Sequence, residues 1–133
     1  NLNFGDHEIP RGSETVLVVE DNEIVRILTC DMLNDIGYKV LVADSPEKCR
    51  EIVAGNDRSI DLLLSDVIMP GMNGRELYEI LKVIRPGLKA LFMSGYASSI
   101  IDQHGINAGE LNFIQKPFSL RALAESIRKA LDS

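Results

Sequence analysis

From Thr15 onward, short apolar runs rich in β-branched residues alternate with segments of helical periodicity, and no other feature restricts the fold of this chain as much. Strands alternating with helices mark β-α-β units around a parallel sheet. TVLVV (Thr15–Val19) is a near-continuous apolar strand, as expected when helices cover both faces. Residues Glu23–Ile36 place Ile24, Ile27, Leu28 and Asp31/Met32 at helical spacing, and Gly37 supplies a C-terminal stop. Strand two is read at Lys39–Ala43, after which Ser45 caps a helix that carries Pro46 in its first turn and runs to about Val53. Strand three is Asp61–Ser65. Asn73 caps a helix from Gly74 to about Ile84, with Leu77, Ile80, Leu81 and Ile84 on its inner stripe. Strand four is Lys89–Met93 and strand five Asn112–Gln115, separated by Ala97–His104, whose helical character is weak. The last helix follows Ser119 and turns Leu120, Leu123, Ile127 and Leu131 inward. Five βα units result, an α/β class with a parallel sheet.

The length of 133 residues fits one domain. Residues 1–13 are polar, contain Gly and Pro and lack periodicity, so they read as a flexible lead-in to a domain over 14–133. The chain does not begin with Met, which points to processing, a remnant or excision from a longer protein. With 45% hydrophobic and 26% charged residues, the composition is that of a soluble globular protein. No apolar run reaches the roughly 18 residues a bilayer span needs, and the first residues lack a secretory core, so membrane insertion is not expected and the location is read as cytoplasmic. A net charge of −6 argues against direct nucleic-acid binding. Cys30 and Cys49 show no redox or zinc spacing and read as small buried or half-buried thiols. His7 and His104 are isolated and receive no role.

In open parallel sheets, ligands sit beyond the carboxyl ends of the strands. Strand one ends in Glu20-Asp21, strand three in Asp66, strand four in Ser94-Gly95 and strand five in Lys116-Pro117. Taken singly, each is a solvated helix start or a surface charge. Together they bring three carboxylates to one rim, where mutual repulsion raises their pKa unless a cation compensates. Hard oxygen donors in small number suit Mg²⁺ better than zinc. Neither a G-x-G-x-x-G nor a G-x-x-x-x-G-K-[ST] run follows strand one, so dinucleotide and P-loop readings fail. A carboxylate, a metal, a hydroxyl and a lysine suffice for phosphoryl transfer to an aspartate: Asp66 as nucleophile, Lys116 and the metal on the transferring oxygens, and Ser94 donating to the product.

Four segments, VLVVEDN, LLLSDVIMPGMNG, LFMSGYA and FIQKPF, appear in this order and together cover about Glu14 to Leu131. In these the chain resembles the receiver domain of two-component response regulators and hybrid sensor kinases. The resemblance implies a three-layer, flavodoxin-like (βα)5 sandwich with a five-stranded sheet of order 2-1-3-4-5. It implies direct Mg²⁺ ligation by Asp21 and Asp66, with Glu20 acting through water and the Ile68 carbonyl completing the set; Mn²⁺ is an acceptable substitute. A cis Lys116–Pro117 bond, and a switch that couples Ser94 to Phe113, are implied as well. Phe lacks the hydroxyl that many relatives carry at that position, and core packing alone is the competing reading for Phe113. Tyr96 borders the mouth of the pocket, as a brake on water or as a plain surface aromatic. The domain would catalyse its own phosphorylation and dephosphorylation without being a turnover enzyme.

The implied phosphodonor is a histidine kinase or phosphotransfer domain bearing phosphohistidine. A protein partner is expected on the face formed by the fourth predicted helix, the fifth strand and the last helix, with homodimerisation left open. SETVLVVEDN, MSGYA and the start without Met favour the receiver of a hybrid histidine kinase; a stand-alone regulator and a non-phosphorylated receiver-like interaction module are the alternatives. A haloacid-dehalogenase-like phosphatase would need a second Asp two residues after the nucleophile, where Ile68 stands.

Overall fold

The computed structural model describes residues 8–55, 59–95 and 112–133. The elements are β1 (Thr15–Val19), α1 (Glu23–Asp35), β2 (Lys39–Ala43), α2 (Pro46–Gly55), β3 (Leu62–Asp66), α3 (Gly74–Ile84), β4 (Lys89–Ser94), β5 (Phe113–Gln115) and the C-terminal helix, α4 (Leu120–Asp132). All strand pairs are parallel and the sheet order is β2-β1-β3-β4-β5. This is the expected flavodoxin-like arrangement. The predicted helix at 97–104, Tyr96, His7 and His104 lie outside the described residues.

The strand residues divide between two layers because successive side chains point to opposite faces. Leu17, Val19, Leu63 and Phe92 face the layer closed by Cys49 and Val53 of α2 and Leu77 and Leu81 of α3. Val16, Val18, Leu62, Leu64, Leu91 and Met93 face Leu33 of α1 and Leu123, Ala124 and Ile127 of α4. Burial on both sides explains why β1 and β3 read as unbroken apolar runs. The helix starts are set by side-chain caps, which satisfy amides that have no intrahelical acceptor. Asn22 Oδ1 accepts from the Val25 N–H at 3.0 Å and Ser119 Oγ from the Ala122 N–H at 3.0 Å. Asn73 and Glu76 exchange two such bonds, a capping box. Gly37, at φ 99°, closes α1 in the left-handed region where a side chain is strained.

The structure sets the phase of α1 and changes one expected face. Ile24, Ile27 and Leu28 are 69%, 53% and 55% exposed and form the outer side of α1, while Met32 of the same spacing series packs against the core. Its inner side is Val25, Thr29, Met32 and Leu33. Apolar residues occur at helical spacing on both sides of this helix, and spacing alone therefore does not set its phase. Ile84 lies on the predicted stripe of α3 yet is 48% exposed, because it is the last helical residue and the buried Leu88 closes the core beyond it. In α4, Leu123 and Ile127 are buried as expected, Leu120 and Leu131 only partly, and Ala124 and Ala130 fill the remaining contact.

Candidate phosphoacceptor and metal site

Each strand end delivers its polar residue to the same edge of the sheet. The pairings Leu64↔Leu91 and Asp66↔Met93 set β3 beside β4, and Ser94↔Gln115 sets β4 beside β5. The Lys116 N–H then donates to the Ser94 carbonyl at 2.7 Å, which fixes the lysine next to the end of β4. A cleft of about 330 Å³ opens there, lined by Glu20, Asp21, Asp66, Ile68, Ser94 and Lys116 among others. Six of the seven residues that the sequence singles out for a site are thus neighbours. The seventh, Phe113, is half-buried one strand away, paired with Phe92 and packed against the layer of α2 and α3.

Carboxylate oxygens of Glu20, Asp21 and Asp66 lie within 4.8 Å of one another. Glu20 is 1% exposed and Asp66 4%, whereas Asp21 is open to solvent. Lys116 Nζ lies 2.6 Å from Asp66 Oδ1 and 2.8 Å from Glu20 Oε1, bridging the two buried acids. Burial pushes the Asp66 carboxyl up to about 8, with the adjacent Glu20 adding to the rise and Lys116 opposing it. For Glu20, burial works upward as well, but hydrogen bonds with Asp66, Lys116 and the Asn22 N–H outweigh it and hold the group below its ordinary value. Burial alone would lower Lys116; its hydrogen bonds to Asp66 and Glu20 carry it above the usual lysine value instead. Burial thus favours a proton on Asp66 in the metal-free site. Three carboxylates in reach of one point, two of them in a poorly hydrated pocket, suit a small hard divalent cation, which replaces that proton and relieves the repulsion.

Several residues that hold this geometry receive no role from the sequence. The Glu20 carbonyl accepts from Arg26 Nη1 at 2.9 Å, and Glu20 Oε2 accepts from the Asn22 N–H at 3.1 Å, so the acid is held from both sides. Ser65 Oγ donates to the Asp66 carbonyl at 2.9 Å. Gly74 opens α3 directly behind the acceptor: its N–H donates to the Val67 carbonyl at 2.7 Å, and a Cβ there would stand 2.2 Å from the Asp66 carbonyl oxygen. The sequence signal for Gly74 was present only as a glycine after the Asn73 cap, and nothing in it reveals the close approach. The Lys116–Pro117 peptide is cis, as the resemblance implies.

Among the described residues no helix is long and apolar enough to cross a membrane. The face expected to meet a protein partner lies partly outside the described residues.

Residues 16–128 match the model of the response regulator receiver domain. The chain is 36% identical over 121 residues to the sensor kinase CckA of Brucella abortus (strain 2308), covering 91% of this chain and 13% of that protein. It is 30% identical to sporulation initiation phosphotransferase F of Bacillus subtilis (strain 168), covering 90% of this chain and 94% of that one. Among solved structures, the receiver domain from the hybrid histidine kinase CckA superposes with a TM-score of 0.72 at 33% identity, covering 88% of this chain and 98% of that one. Several of the curated relatives are much longer than the match, the chain spanning 13% to 31% of the length of three of them.

Proposed function

Because the chain belongs to the response regulator receiver family and is a phosphoacceptor domain of two-component signalling, we propose that Asp66 is its acceptor and that Glu20, Asp21 and Lys116 serve it. The reading is carried by one observation: Asp66 stands 2.6 Å from the Lys116 ammonium and within 4.8 Å of both Glu20 and Asp21. An Asp66 oxygen attacks the phosphorus of a phosphohistidine, the P–N bond breaks, and the imidazole leaves with the electron pair. Asp21 and Asp66, the Ile68 carbonyl and, through water, Glu20 are the groups that would hold Mg²⁺ or Mn²⁺. Bound there, the cation supplies charge neutralisation on the transferring oxygens.

Lys116 contacts a further phosphoryl oxygen once the acceptor carries the group, exchanging its bond to Asp66 for one to the product. Ser94 donates its hydroxyl to the same product. Positioning and electrostatics then account for catalysis without a general base. A displaced Ser94 hydroxyl leaves room beside β5, and Phe113 is the ring placed to report it, two positions before Gln115. Such a change shifts a two-state equilibrium rather than creating a new fold.

The donor is a histidine kinase or a phosphotransfer domain in the cytoplasm, and the whole protein is a hybrid histidine kinase of which this chain is the receiver. Similarity to the sensor kinase CckA supports the hybrid reading over a stand-alone regulator. Incubation with acetyl phosphate and Mg²⁺ should add one phosphoryl mass to the intact chain, and Asp66→Asn or removal of the metal with chelator should abolish it. A folded, metal-saturated protein that gains no mass would overturn the assignment.

A further inference from the structure

The turn from Val67 to Gly74 carries Ile68, and its position is set from β4 at both ends. Where it leaves β3, the Val67 N–H donates to the Met93 carbonyl at 2.9 Å. Where it enters α3, Gly74 faces the Phe92 ring, whose Cδ1 lies 3.1 Å from the place a Cβ at position 74 would take. The Gly74 N–H closes the turn on the Val67 carbonyl at 2.7 Å. The start of α3 therefore cannot move along β4 without moving the turn, and with it the peptide of Ile68.

Apolar packing alone does not fix such a helix lengthwise, because burial is non-directional. Leu77 and Leu81, buried on the inner side of α3, supply area without direction. Tyr78 supplies the direction. About one helical turn after Gly74, it meets the Phe92 ring edge-on, with centroids 6.1 Å apart and planes at 77°. Its hydroxyl donates to the Leu88 carbonyl at 2.8 Å, a bond that tolerates little change in length or angle. Leu88 immediately precedes β4 and Phe92 lies four residues further on, so one side chain grips this strand at two points. Lys82 Nζ stands 5.2 Å from the Tyr78 ring centroid and favours the ring in this place.

We propose that Tyr78, through Phe92 and Gly74, is a positioning residue for the metal and phosphoacceptor site. It sets the height of α3 on β4, and thereby where the turn presents the Ile68 carbonyl to the cation. Tyr78 does not line the acidic cleft, so its effect passes through the backbone of the turn and not through contact with the cation or the phosphoryl group. Donor groups held in place by their supports bind metal more tightly than the same groups left to find their geometry. The consequence for the cation rests on the metal and phosphoacceptor reading above, whereas the hold of Tyr78 on the turn does not.

The test uses the full chain, titrated with Mg²⁺ by calorimetry, together with its amide spectrum recorded without metal. Tyr78→Leu loses both the edge-on ring and the hydroxyl and should weaken Mg²⁺ binding about 10-fold, the scale of losing a supporting contact at a metal site. Tyr78→Phe loses the hydroxyl alone and should weaken it several-fold. Both should shift the metal-free amide resonances of Ile68 and Gly74 and leave those of Leu33 and Ile127, in the opposite layer, in place. Labelling by acetyl phosphate should need correspondingly more Mg²⁺ to reach half its maximal rate, with the wild-type rate recovered once the metal saturates. A role in stability alone would move the melting temperature and not the Mg²⁺ midpoint. Ile127→Val, a core change on α4, is the control and should leave Mg²⁺ binding unchanged. Tyr78→Phe, which keeps the ring, decides the matter should Tyr78→Leu not fold. Wild-type Mg²⁺ affinity in folded Tyr78→Phe, or an equal weakening in Ile127→Val, overturns the positioning role. Absence of Mg²⁺ uptake by the wild type would count against the metal reading itself. The metal-free spectra then still decide whether Tyr78 holds the turn, and unmoved Ile68 and Gly74 resonances overturn that.

Discussion

At the scale of single residues, the Lys116 ammonium is the cation that holds the two buried acids together. Lys116→Ala should leave the fold intact and Mg²⁺ binding in place, since the metal then supplies the missing charge. Phosphoryl transfer from acetyl phosphate should slow by about 100-fold, the scale of losing one preorganised electrostatic contact in a poorly hydrated site. Rates of labelling followed by intact mass check this; wild-type rates would remove the lysine from the transfer. Gly74 offers a different kind of test. Its missing side chain lets α3 start against the Asp66 carbonyl, and Gly74→Ala should cost about 1–3 kcal/mol by overpacking. Urea denaturation measures that cost. The acidic pair, Asp66, Ser94 and Lys116 were legible in the sequence because each ends a recognisable strand. The roles of Gly74, Arg26 and Ser65 were not: the LLLSDVIMPGMNG segment contains Ser65 and Gly74 but does not reveal the backbone contacts through which all three act.

At the scale of elements, legibility followed burial. β1 and β3 are covered on both faces, so their apolar runs admit one reading, and α4 has one apolar stripe with a capped start. α1 has apolar residues around much of its circumference, and Ile24, Ile27 and Leu28 form an outer side that periodicity cannot distinguish from the inner one. Glu14, the first residue of the domain read from the sequence, shows the same limit in another form: Arg128 joins it to Tyr38 and Asp132, and Glu14, Tyr38 and Arg128 are far apart in sequence. The Arg128 hydrogen bonds hold the Glu14 carboxyl below its ordinary value. A lowered folded pKa contributes stability above the unfolded value, lost as pH falls through the folded one. Glu14→Gln should therefore lower stability by about 1 kcal/mol at pH 7, and by progressively less below about pH 4. Thermal unfolding of the two proteins across that range checks it; equal differences at pH 7 and pH 3 would show that the carboxylate charge is not involved.

At the scale of the whole molecule, a sheet that collects acids from two strands onto one edge is stabilised or destabilised by what neutralises them. The Asp66 pKa is raised in the folded chain, so protonation favours folding, and the metal-free protein loses that contribution as pH rises from about 4, the unfolded value, to about 8. Mg²⁺ held as proposed would compete with the same proton. The rise in melting temperature on adding Mg²⁺ should consequently be larger at pH 8 than at pH 5, and Asp66→Asn should remove the difference; scanning calorimetry with and without the metal decides. The most direct measurement concerns the acceptor atom itself. Protein labelled with acetyl phosphate and Mg²⁺, reduced with borohydride and digested, should carry homoserine at position 66 and nowhere else. Homoserine at position 21, or reduction of Glu20 instead, would contradict the assignment of Asp66 as the phosphoacceptor.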